Sequence, residues 1–274
     1  MDAFGRLLRE AAVTPIEGWD FSRLGDRIST KPRPWDFKRM VEEHAQRAAH
    51  LLDMGTGGGE WLTSLSHRPP RTVATEAWHP NLDLAGARLR PLGVTVVWYE
   101  GARDNAEQTP EEQRGRLPFP SGSFELITNR HETFLAREVA RVLIPGGAFL
   151  TQQTGGNYDE FYDALTLIPP ERSGREWNLA LASEQLSATG LEIIEGAEGE
   201  EETTFADVGA LTWYLRAIPW LVAGFSIDGH RSHLRRLHER IEADGPITLR
   251  QPTFWLKAVK PDSPPRGGPR RIKS

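Results

Sequence analysis

The chain has 274 residues, 38% hydrophobic and 26% charged, enough apolar material for one large α/β domain or two small ones that fold without disulfide or metal. It contains no cysteine, which excludes disulfides, zinc–thiolate sites, iron–sulfur clusters and cysteine nucleophiles together. A formal net charge of -5 gives no overall attraction to nucleic acid or to an anionic membrane, although a local basic patch remains open.

The opening MDAFGRLLREAAV mixes both charge signs with no apolar run behind them, so it does not read as a secretory signal. Residues 1–45 read as an amphipathic helical cap, broken by KPRPWDF at 31–37. AAHLLDMGTGGGEWLTSL is a strand, a glycine-rich turn and a helix. RTVATEAW is a second strand and PNLDLAGARLRPLG the helix after it. VTVVWY is a third strand on its Val, Trp and Tyr content. The polar stretch 100–116 is long for a compact domain and is either a surface loop or a short helix. FELITNR is a fourth strand, and FLAREVARVL a helix stopped by Pro145-Gly146-Gly147. AFLTQQTG is a fifth strand, and LEIIEGAE and TFWLKAVK are two more, with a mainly helical insert between them at about 205–245. Strands alternating with helices predict right-handed crossovers and a mostly parallel sheet. The apolar region at 217–225 is short and holds Pro219 and Gly224, well below the ~20 residues that span a bilayer. The expectation is a cytoplasmic enzyme, monomeric or homodimeric, with a main domain over 46–261. The Pro-, Gly- and Arg-rich residues 262–274 read as a disordered basic tail.

The most informative segment is LLDMGTGGGE. Its glycines allow a sharp turn and let a ligand approach the backbone, with the N–H groups of the following helix aimed at it. A phosphate loop needs a Lys after the glycines, and none follows. The dinucleotide pattern G-x-G-x-x-G, counted from Gly55, puts its third glycine at Glu60, an acid that would oppose a pyrophosphate. D-x-G-x-G-x-G matches at Asp53, Gly55, Gly57 and Gly59. A structural glycine turn in another α/β protein is the plainer alternative.

In this last pattern the chain resembles the class I methyltransferases that use S-adenosylmethionine, of the methyltransferase type 11 kind, and two further segments agree. LPFPSGSFELITNRHETF resembles the family's turn into the fourth strand, and EVARVLIPGGAFLTQQ its helix, P-G-G turn and fifth strand. The resemblance covers about residues 51–154. It implies a Rossmann-like, mostly parallel seven-stranded sheet with helices on both faces and an antiparallel last strand. It implies S-adenosyl-L-methionine as cofactor, held by Asp53, Gly55, Thr56, Gly57 and Gly59. The sulfonium and ammonium of that cofactor suit an acidic strand end better than an anion would.

Glu76 lies 19 residues after Gly57, near the ~20 expected of a ribose-binding acid, and the resemblance gives it that role. A solvated Glu at a helix start would be placed the same way. Ala77 and Trp78, with His79, would line the adenine pocket. Beyond the fourth strand the family faces the transferring methyl with residues that are here Asn129, Arg130, His131 and Glu132. Asn129 is carried over as a cofactor contact. His131 is the candidate base, since an imidazole titrates near neutrality, and Glu132 is its candidate partner; a structural histidine capping the next helix is the alternative. Many relatives place an acid before L-P-F to touch the adenine amino group, but Arg114, Gly115 and Arg116 stand there, so that contact is not assigned. Gln152 and Gln153, near the fifth strand's end, would position substrate, unless they only pair with backbone. Trp213, Tyr214 and Trp220 would stack on an aromatic substrate or would simply be core. Trp19 to Phe21 and Trp35 to Phe37, two W-D-F segments, would cover the cofactor. The predicted reaction is methyl transfer to a small, aromatic or heterocyclic metabolite. The alternatives are RNA, held by Arg266, Arg270, Arg271 and Lys273 of the tail, and an inactive cofactor-binding partner protein.

Overall fold

The structure, a computed structural model, describes residues 2–16, 18, 21–101, 105, 115–170 and 176–262. In chain order the elements begin with α1 (Ala3–Val13), a 3-10 turn (Ser22–Arg27), β1 (Ile28–Thr30) and α2 (Phe37–Ala45). Next come β2 (His50–Met54), α3 (Glu60–Ser64), β3 (Arg71–Glu76), α4 (His79–Leu89) and β4 (Thr95–Trp98). They continue with β5 (Phe124–Arg130), α5 (Ala136–Val142), β6 (Leu143–Thr154), α6 (Asp159–Ala164) and α7 (Leu179–Ser187). The last are β7 (Glu192–Phe205), α8 (Val208–Ala217), α9 (Arg231–Asp244) and β8 (Ile247–Val259). One mixed sheet runs in the order β1-β7-β8-β6-β5-β2-β3-β4. It has eight strands rather than the seven expected. The additional one, β1, is three residues long and pairs antiparallel with β7, Ile28 opposite Phe205. So short a strand carries no periodic signal of its own. No helix among the described residues is long and apolar enough to cross a membrane.

The chain divides into two units. The larger comprises 36–153, 177–197 and 254–274, and the smaller 1–35, 154–176 and 198–253.

In the larger unit β2 is central, parallel to β3 on one side and to β5 on the other. β4 and β6 extend the parallel run outward. The chain thus adds β3 and β4 on one side of β2, then reverses and adds β5 and β6 on the other. The carboxyl ends of β2 and β5 flank that reversal, where open sheets of this type bind ligands. β2 reads as an apolar run because both faces are covered: Leu51 and Leu52 are fully buried. The family-like E…R-V-L and L-P-F segments have a shared physical purpose. Glu138 accepts from the Leu117 N–H at 2.8 Å. Arg141 donates to the carbonyls of Phe119 and Leu117 at 2.7 and 2.9 Å, so α5 clamps the turn that leads into β5. P-G-G does not end the helix ahead of the strand as a separate loop. It lies inside β6, where the Gly146 N–H donates to the Lys260 carbonyl at 2.7 Å with φ at +74°. Glycine tolerates that left-handed backbone.

The smaller unit packs around α8. Asp207 caps this helix, accepting from the Ala210 N–H at 3.0 Å. Every residue from Val208 to Leu215 is buried, the pattern of a helix covered on all sides. Phe161 stacks on Tyr214 at 6.2 Å, and Phe205 meets Tyr214 edge-on at 5.1 Å. α1 presents Phe4, Leu8 and Ala11 to this core at helical spacing, and Asp2 caps it.

Candidate active site

The glycine turn between β2 and α3 is held from three sides within the larger unit. The Thr56 N–H donates to the Thr75 carbonyl at 2.9 Å, which ties the turn to β3. Gly55, Gly57 and Gly59 have φ of +67°, +62° and +82°, so the D-x-G-x-G-x-G spacing marks three left-handed positions. Two of these glycines also meet close neighbours. A Cβ on Gly59 would lie 2.9 Å from Leu89 Cγ of α4. A Cβ on Gly55 would lie 2.3 Å from Glu132 Cβ, so Glu132 packs directly on Gly55. The helix that follows is only five residues long, Glu60–Ser64, too short to offer an extended row of aligned N–H groups. Arg88 of α4 donates to both the Gly58 carbonyl and the Glu60 carboxylate. Glu60 is therefore part of the scaffold of the turn.

Glu76, at the end of β3, is 5% exposed. Its Oε2 accepts from the Gly57 N–H at 2.7 Å and its Oε1 from the Trp78 N–H at 2.8 Å. The carboxylate thus joins the glycine turn to the start of α4, and its remaining lone pairs are available to hydroxyl donors. Burial pushes its pKa up, against the pull of those two N–H groups. Asp53 is 3% exposed and accepts from the Thr128 hydroxyl at 2.7 Å across the β2–β5 pair. Burial lifts it to about 6 despite that hydroxyl. Glu132 is pushed up by burial too, and further by the charge of Glu76. A recess of about 200 Å³ is lined by Gly55, Glu76, Ala77, Tyr99, Glu132 and Thr133 among others, and none of the described residues lining it is a cation.

Asp53 makes a testable pH dependence. Its folded pKa of about 6 exceeds the ordinary ~3.9, so its protonated form is the one the fold prefers. Its contribution is full below pH ~4 and is lost as pH rises through about 6, by an order of 3 kcal/mol at most. Asp53→Asn, which keeps an acceptor for Thr128, is expected to remove much of this decline. Urea unfolding at pH 5 and pH 8 should show a smaller drop in midpoint for the variant. An equal drop in both proteins would show that Asp53 is not the group responsible.

The β5–α5 turn carries the remaining candidates. Asn129 is fully buried, its carbonyl oxygen accepting from Thr151 Oγ1 at 3.0 Å and from Gln153 Nε2 at 2.5 Å, while its Nδ2 has no hydrogen-bond partner among the described residues. Arg130 lies over the Trp61 ring at 5.1 Å, and its charge opposes the rise in the Asp53 pKa. His131 is exposed, with φ at +58°, a backbone conformation uncommon outside glycine. Its N–H donates to the Gln152 carbonyl at 2.9 Å, and its Nε2 is 3.4 Å from Gln152 Nε2. It does not cap α5, whose cap position is Leu135. Glu132 does not turn to His131 either. Its Oε1 accepts from the Thr133 N–H and hydroxyl at 3.0 and 3.1 Å, and its Oε2 faces Gly55.

Gln152 and Gln153 are 3% and 2% exposed. Gln153 Nε2 donates to the Glu132 carbonyl at 3.1 Å as well as to Asn129 and Thr151, so this amide fixes the turn instead of waiting for a substrate. Trp213 and Tyr214 are 2% and 6% exposed in the core of the smaller unit. Their aromatic faces are used by Phe21, Phe161 and Phe205, which corrects the expectation that they stack on substrate. Trp220 is 54% exposed. Ala77 lines the recess, whereas Trp78 is 52% exposed. Of the W-D-F segments, Phe37 packs near Trp61 at 6.1 Å and Trp35 lies against Gly199, while Trp19 and Asp20 fall outside the described residues. Arg114 and the tail arginines and lysine also fall outside them.

Thr128, Tyr99, Thr133 and Arg88 were not singled out from the sequence. Tyr99 follows β4 immediately, so the rule that ligands bind at carboxyl strand ends would have found it. Thr128 carried no signal, because its value lies in facing Asp53 from 75 residues away. Among the described residues no group of His, Asp and Glu could hold a metal ion.

Residues 52–151 match the family model described as a methyltransferase domain. An uncharacterized methyltransferase of Bacillus subtilis, YcgJ, is 28% identical over 169 residues, 56% of this chain and 63% of the relative. A demethylmenaquinone methyltransferase of Lactiplantibacillus plantarum is 28% identical over 147 residues, 49% of this chain and 58% of the relative. The chain therefore spans about three fifths of the length of these curated relatives. Among solved structures, a functionally unknown protein from Deinococcus radiodurans superposes with a TM-score of 0.54 at 16% identity, covering 95% of this chain and 100% of that one. The YcgJ protein gives a TM-score of 0.53 at 19% identity, covering 83% and 99%. At these identities the two structures show a shared fold.

Proposed function

We propose that the chain transfers the methyl group of S-adenosylmethionine to a small-molecule acceptor, a reading supported by the match of residues 52–151 to a methyltransferase domain and by the Rossmann-like sheet. The observation that carries this reading is Glu76. A buried carboxylate bridges the Gly57 and Trp78 N–H groups, at the carboxyl end of a strand beside the sheet's reversal point, in a recess with no lining cation among the described residues. Such a set of acceptors suits a ligand that brings hydroxyls and positive charge, and it repels phosphate. Glu76 would hold the ribose hydroxyls, with Ala77 and Tyr99 beside the nucleoside and the glycine turn under it.

When bound, S-adenosylmethionine supplies an electrophilic methyl on a sulfonium. The protein's part is then to place a nucleophile in line and to exclude water, and positioning alone supplies much of a rate enhancement. The turn at 129–133 is pinned by Gln152 and Gln153, which gives it the rigidity for that task. His131, exposed on this turn, is the one candidate base retained from the sequence, for an acceptor that must lose a proton. An aromatic acceptor has lost its main support, since Trp213 and Tyr214 are core; a small molecule is favoured over nucleic acid by the net charge of -5.

Calorimetric titration tests the cofactor. S-adenosylmethionine and S-adenosylhomocysteine are expected to bind at least about tenfold more tightly than NAD or ATP, whose ribose Glu76 could hold equally but whose phosphates the carboxylates of Glu76 and Glu132 repel. Tight binding of NAD with none of S-adenosylhomocysteine would overturn the reading.

A further inference from the structure

Resting on the reading that the recess holds S-adenosylmethionine, we propose that Glu132 reads the cofactor's sulfonium and makes the protein prefer S-adenosylmethionine over S-adenosylhomocysteine. Three observations carry this. The first is placement. Glu132 lies directly on Gly55 of the glycine turn, its Oε2 2.9 Å from where a Cβ at Gly55 would stand, and it lines the same recess as Glu76. Both carboxylates line this one recess, so they face neighbouring parts of one ligand. If Glu76 takes the ribose, the adjoining group is the sulfonium, which is bonded to the ribose C5′. The amino group lies three carbons further along the chain.

The second observation is charge. Glu76 and Glu132 repel one another, and the described lining residues include no cation to offset them. A sulfonium entering between them removes that repulsion, and a neutral thioether does not. The third is that the carboxylate is already in place. Thr133 occupies Oε1 through two hydrogen bonds, which leaves Oε2 toward Gly55. The Gln153 amide holds the Glu132 carbonyl at 3.1 Å, and the Gln152 carbonyl holds the His131 N–H at 2.9 Å. A group fixed in this way loses little conformational freedom on binding. The preference would also favour turnover, because the attraction disappears with the positive charge once the methyl has left sulfur.

The test is binding of both ligands by calorimetry, without acceptor, to wild type, Glu132→Gln and Glu132→Asp. Gln keeps the acceptor for Thr133 and the side-chain volume and removes only the charge. It is expected to weaken S-adenosylmethionine by about tenfold while changing S-adenosylhomocysteine by less than about threefold. Asp keeps the charge and should retain most of the wild-type preference, which serves as the readout if the Gln variant does not fold. Equal weakening of both ligands by Gln, no weakening of either, or loss of the preference in Asp equal to that in Gln would each overturn the proposal. Wild type binding neither ligand would bring down the cofactor reading as well, whereas wild type binding both with the Gln variant indifferent brings down this inference alone.

Discussion

Glu76→Ala is expected to weaken S-adenosylhomocysteine binding by about tenfold to a hundredfold and to lower the melting temperature at the same time. The binding loss follows from removing an acceptor whose hydrogen bonds to ribose carry charge, worth roughly 1.5–3 kcal/mol. The stability loss has a separate origin. Without the carboxylate, the N–H groups of Gly57 and Trp78 lose their acceptor, and Gly57 is buried in the turn. A buried donor left unmade costs about 1–3 kcal/mol, so a fall of roughly 2–10 °C is expected for a chain of this size. The two effects separate in Glu76→Gln, whose single oxygen can serve one of the N–H groups but whose amide opposes the other. That variant should fall between wild type and alanine in stability. Glu76→Ala binding S-adenosylhomocysteine like wild type would show the ribose assignment to be wrong, even if the melting temperature fell.

Trp213→Ala is expected to destabilise the protein by about 3–5 kcal/mol, the range for truncating a buried aromatic. Trp213 is 2% exposed, meets Phe21 edge-on at 5.8 Å, and donates from Nε1 to the Thr14 carbonyl at 3.2 Å. Truncation opens a cavity in the smaller unit's core and removes a donor that anchors the end of α1. The comparison is Trp220→Ala. Trp220 is 54% exposed, and its truncation should stay within about 0.5 kcal/mol. Urea unfolding followed by circular dichroism reads both. Equal, small effects from the two tryptophans would refute the core assignment and reopen a ligand role for Trp213. Binding of S-adenosylhomocysteine by folded Trp213→Ala should match wild type, since the residues assigned to the cofactor all lie in the larger unit.

The two tryptophans also show where sequence reading stops. W-Y in an apolar stretch is compatible with a stacking platform and with a core, because residue type alone does not say which face is covered. The core reading requires Phe21, Phe161 and Phe205, brought from three other parts of the chain. Gln152 and Gln153 are similar. Their position near the end of β6 was legible, but the use of the Gln153 amide depended on the turn at 131–133 folding back to meet it.

What the sequence by itself determined is local. The strand–helix alternation specified the parallel core, since period-2 and period-3.6 patterns need only neighbouring residues to be visible. The glycine turn was equally legible, because three left-handed backbone positions select glycine whatever surrounds them. The place of Glu76 at the end of β3 was legible too, along one crossover whose length is set by strand and helix geometry. Only the tertiary structure decided which carboxylates meet. Thr128 reaches Asp53, and Glu132 comes to lie on Gly55, because β5 enters the sheet beside β2 after a separation of about 75 residues. It likewise decided that β1 exists, since three residues become a strand only when β7 offers its edge. The physical reason is the same in each case. Backbone conformation is chosen by a residue and its immediate neighbours, whereas burial and the electrostatic company of a charge are chosen by whatever the fold brings from elsewhere.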